Sequence, residues 1–191
     1  MQSFFAQGFG FDANALGRDA GLLKISTDAL AGKPTLRVLY PTRRIVYPAM
    51  GRGSSSNSAI RKDGTWGSPN TQWLSTNRIT IKGSGSGTEA WTDMVVRVPR
   101  GGTVSVYSLA GSGEIRNVDG TLTFDGGSGG VTSEATKGTL KIDIGSGAVK
   151  VAGHDGVLDV DTGSGSVEAN NVRGASVRID TGSGGVSGTS I

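Results

Sequence analysis

Gly-Ser-Gly occurs five times in the C-terminal half of the chain, beginning at Gly111, Gly127, Gly145, Gly163 and Gly182, at intervals of 16, 18, 18 and 19 residues. A short fixed period signals one structural unit stacked on copies of itself. The segments that start at Gly120, Gly138, Gly156 and Gly174 read GTLTFDGGSGGVTSEATK, GTLKIDIGSGAVKVAGHD, GVLDVDTGSGSVEANNVR and GASVRIDTGSGGVSGTSI, each 18 residues long. Apolar residues alternate within them, as Leu158 and Val160 do before the glycines and Val167 and Ala169 after. This is the period of a strand with one buried face, and helical spacing is absent.

Each segment therefore predicts two short strands plus a third short side or corner. A βαβ unit needs roughly 30 residues, and a hairpin arm needs fewer than these segments hold. Stacking is the remaining solution, with equivalent residues about 4.8 Å apart and the backbone of each rung pairing with its neighbours. The inward columns then read Leu122, Leu140, Leu158 and Val177; Phe124, Ile142, Val160 and Ile179; and Val131, Val149, Val167 and Val186. The expected fold is an all-β parallel β-helix or β-solenoid with about 18 residues per rung. One rung buries too little apolar surface to offset the entropy of ordering it, so the array is expected to be cooperative between neighbours.

The 33 glycines serve turns in this scheme, since alternation of apolar residues excludes a flexible linker. Without cysteine there is no disulfide, thiolate nucleophile or Cys-type zinc site. Residues 1–100 carry 13 Lys and Arg against 6 Asp and Glu, and residues 101–191 carry 6 against 10. The basic residues are scattered, with Arg43-Arg44 the only adjacent arginine pair, so no nucleic-acid partner is expected. No apolar run is long enough to span a bilayer, and MQSFFAQGFGFDANALGRD shows no signal peptide, lacking a basic and then an apolar region.

Residues 1–100 are expected to form an irregular β region that packs on or continues the solenoid of residues 101–191, in one structural domain overall. TLRVLYPTRRIVYP at 35–48 predicts a strand with Leu36, Val38 and Tyr40 on one face, ended by two Tyr-Pro steps. GRGSSSNS at 51–58 reads as a polar loop, Asp63-Gly64 as a hairpin turn, and NRITIKGSGSG as a short strand running into a glycine-rich turn. Trp66, Trp73 and Trp91 all fall in this region; they are expected to cover the flank or end of the coil rather than form a platform for sugar rings.

The run VRVPRGGTVSVYSLAGSGEIRNVDGTLTFDGGSGGV, with LDVDTGSGSVEANNVRG and VRIDTGSGGVSG, resembles a bacterial β-strand-repeat family of unknown function described as adhesin-like. The likeness is carried by the V-P-x-G step and the repeated D-T-G-S-G across residues 78–191, and extends through RDAGLLKIST and LRVLYP from about residue 18. It implies a right-handed parallel β-helix, in the cell envelope or outside the cell, that binds a macromolecule at the surface or associates with itself through the solenoid ends. It also implies a signal peptide and further rungs beyond this chain, which would then be a fragment. An uncapped final segment ending at Ile191 is expected to self-associate or fray.

The candidate site is a column of aspartates, Asp125, Asp143, Asp161 and Asp180, each just ahead of a Gly-Ser-Gly. In register, neighbouring carboxylates repel by about 3 kcal/mol at an effective dielectric near 20, and by under about 1 kcal/mol in water. Calcium would offset this, but glycine-rich β-rolls place the aspartate after the glycines. The favoured alternative is an Asx-turn, in which each side chain accepts the N–H two residues on and opens the corner. No metal or cofactor is therefore expected. A calcium- or glycan-binding module is the alternative function, and a polysaccharide-active enzyme ranks below it because the acids form a uniform column. His154 takes the place of Val118, Thr136 and Val172 and is expected to be a corner residue. Ser112, Ser128, Ser146, Ser164 and Ser183 read as turn members, since neither a nucleophile elbow nor a phosphate loop has their spacing.

Overall fold

The computed structural model describes residues 2–6, 8–30, 33–60 and 78–191. Their regular elements are all β-strands apart from single 3-10 turns at Ala20–Leu22 and Pro48–Met50, and they form two compact units, Met1–Arg97 and Val98–Ile191.

The first unit contains β1 (Gln2–Ala6), β2 (Phe9–Leu16), β3 (Lys24–Leu30), β4 (Lys33–Leu39), β5 (Arg44–Val46), β6 (Ser55–Ala59), β7 (Arg78–Lys82), β8 (Thr88–Glu89) and β9 (Trp91–Arg97). Among the described residues they form three small sheets, in the orders β1-β2-β9, β3-β4 and β6-β7-β5-β8. β4 stops before Tyr40-Pro41 and β5 before Tyr47-Pro48, as the Tyr-Pro steps require, because proline lacks an N–H and pushes its predecessor out of regular pairing. The expected one-sided burial of β4 does not appear; both of its faces are half-buried. The expected loop at 51–58 is also corrected. Ser55–Ala59 is a strand antiparallel to β7, at the edge of its sheet among the described residues, where Thr80 donates to Asn57 Oδ1 at 2.6 Å. Serine and asparagine are tolerated there because an edge strand keeps one side in water. The Asp63-Gly64 hairpin, Trp66 and Trp73 lie outside the described residues.

The second unit opens with a turn at Pro99-Arg100-Gly101-Gly102, closed by the Gly102 N–H on the Pro99 carbonyl at 2.8 Å. It continues through β10 (Gly102–Ala110), β11 (Gly113–Arg116), β12 (Asp119–Ser128), β13 (Val131–Ser146), β14 (Val149–Ser164), β15 (Val167–Ser183) and β16 (Val186–Thr189). All pairs are parallel, and the sheet order β10-β12-β13-β14-β15-β16 follows the chain. This is a β-solenoid of about 5 turns with rungs of about 18 residues.

The three apolar columns pair in the expected register. Ile142, Val149, Leu158, Val160 and Val167 are fully buried. Burial fades along the ladder, so that Val177 and Ile179 are only partly covered and Val186 is 52% exposed.

Two backbone columns make the corners. The second glycine of each in-register Gly-Ser-Gly, namely Gly129, Gly147, Gly165 and Gly184, has positive φ, and a Cβ on Gly165 would lie 2.0 Å from the Gly147 carbonyl oxygen. Only glycine fits that close approach. The opposite corner places Asn117, Ala135, Gly153, Asn171 and Ser190 in the left-handed region, at φ between 50° and 69°. Asparagine tolerates this conformation better than alanine does.

The alignment of Gly-Ser-Gly strings is wrong at its first member. Ser128, Ser146, Ser164 and Ser183 are in register, but Ser128 pairs with Ala110, so Ser112 lies two residues beyond that column. The rung offset is constant up to Asp155↔Arg173 and then steps, Val157 pairing with Ser176. The longer final interval is thus one extra residue absorbed at the Gly174-Ala175 corner, after which Leu158↔Val177 restores the core columns.

Candidate functional site

Asp125, Asp143, Asp161 and Asp180 do form one column. They lie within β12 to β15, on the outer face, and the corner comes only after the following serine. The Asx-turn expectation fails for that reason, since the strand runs on past each aspartate. After Asp161 and Asp180 the hydroxyl of the next residue serves the corner instead, Thr162 donating to the Gly147 carbonyl at 3.4 Å and Thr181 to that of Gly165 at 3.0 Å, whereas Gly126 and Ile144 hold that place in the earlier rungs. The Thr162 side chain points inward and is fully buried, so this bond satisfies a group with no access to water.

The neighbouring outer columns alternate in sign. Lys141, Asp159 and Arg178 stack at successive rungs, with nitrogen-to-oxygen distances of 3.8 Å and 3.2 Å to Asp159. Lys150 lies 3.5 Å from Glu168, Arg116 3.4 Å from Glu134, and Lys137, Asp155 and Arg173 are in register. Such alternation turns rung stacking into attraction, worth under about 1 kcal/mol per exposed pair. The aspartate column is the exception, carrying like charges at successive rungs. Asp180 is relieved by Arg178 at 3.4 Å, whereas among the described residues Asp143 and Asp161 have neither a hydrogen bond nor an ion pair. Among the described residues no group of three His, Cys, Asp or Glu side chains is placed to hold a metal ion.

His154 is in register with Thr136 and Val172, as expected of a corner residue, and its ring is 1% exposed. Nδ1 lies 2.9 Å from the Thr136 hydroxyl and Nε2 3.1 Å from the Val157 carbonyl, so neither nitrogen is directed at the serine column. Loss of water holds its pKa below the ordinary histidine value, against the opposing Val157 bond and Asp155 charge. Its place as a corner residue does not by itself reveal these hydrogen bonds. The signal is the polar pair Thr136 and His154 at one offset in an otherwise apolar column.

In the first unit, Asp12 and Arg97 pair across β2 and β9. Asp19 accepts the Glu89 N–H at 2.9 Å; that bond, aided by Arg18, lowers its pKa against a smaller effect of burial. Trp91 packs against Tyr47 with ring centroids 5.7 Å apart, and Tyr40 is pushed up to about 12 by burial and by Tyr47. Trp91 is therefore used within its own unit. An open concavity of about 430 Å³ is lined by Thr42, Arg43, Arg44, Gly87 and Thr88, and the Thr42 and Thr88 hydroxyls meet there at 2.8 Å. No described helix is long and apolar enough to cross a membrane. Comparison with protein-family models, with curated proteins and with solved structures found no match to this chain.

Proposed function

We propose that the chain is a noncatalytic, adhesin-like solenoid scaffold of a bacterial envelope or surface, which binds another macromolecule or assembles with itself through its ladder. The observation that carries this reading is the character of the second unit's surface. Its outer columns recur rung after rung around an interior built mainly of apolar side chains, and its one histidine is enclosed. A repeated surface suits a repeated partner, either a polymer or another ladder, whereas acid–base catalysis needs unlike environments for its two groups. The resemblance of the D-T-G-S-G repeats supports the envelope assignment and the bacterial source.

A direct test pairs sedimentation of the purified chain over a range of concentrations with binding to a panel of bacterial surface polysaccharides and envelope proteins. Concentration-dependent assembly or saturable binding is expected, together with background turnover on polysaccharide, ester and peptide substrates. Reproducible turnover abolished by one acidic substitution would overturn the noncatalytic reading.

The unpartnered Asp143 and Asp161 favour one second reading, a calcium-binding module. Calcium ligation takes six to eight oxygens, so two stacked carboxylates would need other donors.

A further inference from the structure

His154 is the only histidine in the chain. A carbonyl oxygen can only accept, so the bond to Val157 assigns the ring proton to Nε2. Nδ1 is then an acceptor, and the Thr136 hydroxyl donates to it. The Thr136 oxygen in turn accepts the Ser133 hydroxyl at 3.2 Å. Ser133 and Thr136 are 0% and 5% exposed. The polar chain Ser133, Thr136, His154, Val157 thus runs in one direction, and a neutral ring satisfies every link.

A proton added at Nδ1 turns that acceptor into a donor facing a hydroxyl that already donates to it. Thr136 and then Ser133 must reverse, which moves the conflict onto a serine sealed in the core. Solvent cannot reach the imidazolium to compensate. The charged neighbours do not rescue it. Asp155, next along β14, is the one charge that favours the protonated ring, and it sits on the exposed face. The residues in register on β13 and β15 are Thr136 and Val172, both uncharged, while Glu134, Lys137 and Arg173 are exposed on the outer surface.

We propose that this corner is an acid-sensitive latch, in which protonation of His154 breaks the polar chain and loosens the two rungs that it joins. The latch is closed while the ring is neutral, above the ordinary histidine range. As the pH falls through about 6.5, the unfolded chain takes up a proton that the closed corner refuses, so stability declines. The decline ends once the pH is low enough to protonate the folded ring as well. The device is independent of whatever the outer columns bind.

Because there is a single histidine, its resonances report the latch without ambiguity. Ring titration by NMR is combined with amide exchange, corrected for intrinsic rate, at pH about 7.5 and about 5. Exchange at residues 134–137 and 152–157 is expected to rise ~10-fold or more at the lower pH, with residues 122–125 less affected. The ring itself should titrate below the ordinary histidine value. His154→Val, which installs the residue of the neighbouring column position, should remove the pH difference. An unchanged pH difference in His154→Val, or a folded ring that titrates at the ordinary value, overturns the proposal. If His154→Val does not fold, the titration and exchange of the native chain decide.

Discussion

The two units are close in length and differ in how they bury apolar surface. In Val98–Ile191 one continuous cluster runs from Ile115 to Val172, with most members stacked in register on an apolar equivalent in a neighbouring rung. In Met1–Arg97 the buried apolar side chains among the described residues are Phe11, Ala13, Ile45, Val46 and Ala90, spread over separate sheets. Specific polar pairs supplement them there, notably Asp12 with Arg97 and Asp19 with the Glu89 N–H. Repetition lets small residues build a core because one good fit is copied, whereas an irregular unit must solve each contact separately.

The largest test of that contrast is Val160→Asp. Its side chain is fully buried in the middle of a column, so a lone carboxylate there should cost more than about 4 kcal/mol. Protection should be lost across several rungs while exchange in the β2–β9 pairing persists. A variant that melts like the parent would refute the column assignment.

A second comparison uses the same tripeptide in both units. Gly165→Ala places a Cβ 2.0 Å from the Gly147 carbonyl oxygen at φ 151°, whereas Gly85, within GSGSG of the first unit, has φ 110° and nothing within 4 Å. The first substitution should cost about 3 kcal/mol, and the second about 1 kcal/mol from backbone strain alone. Equal losses in chemical denaturation would show that stacking does not tighten the glycine requirement.

What the sequence displays follows the same division. Leu140, Leu158 and the valines at 149 and 167 were legible because a core position must recur at the rung offset. Ser112 misled because the three letters recur where the offset does not, and Ala110 holds the true place. The left-handed corner was in view through Asn117, Gly153 and Asn171, but Ala135 disguises it. The roles of Thr162 and of the His154 chain depend on which rung each hydroxyl reaches, which spacing alone does not reveal. The first unit has no period, so a strand such as Ser55–Ala59 is spelled like a loop.

Smaller effects sharpen the picture. Ala135→Gly relieves a left-handed alanine at φ 50° and should stabilise the solenoid by about 0.5–1 kcal/mol, read as a higher melting temperature. Loss of stability would mean that the alanine methyl contributes packing exceeding its strain. The smallest change is expected from Asp143→Asn with Asp161→Asn, which removes stacked like charges on the outer face. A gain under about 1 kcal/mol, diminishing with added salt, is predicted in denaturant titrations without calcium. Micromolar calcium affinity that these substitutions abolish would instead establish the metal-binding reading.

The step at Gly174-Ala175 has a broader consequence. An extra residue enters the chain, yet two residues later Leu158 meets Val177 and the ladder proceeds in phase. The corner works as an expansion joint, taking up added length on the outside so that none reaches the interior. Peptides inserted between Gly174 and Ser176 should therefore leave the rungs folded and be displayed beside the charged columns, while a single added residue inside β14 would flip one buried face outward. Tolerance to insertion in such a ladder is a property of position within the rung rather than of distance from either end.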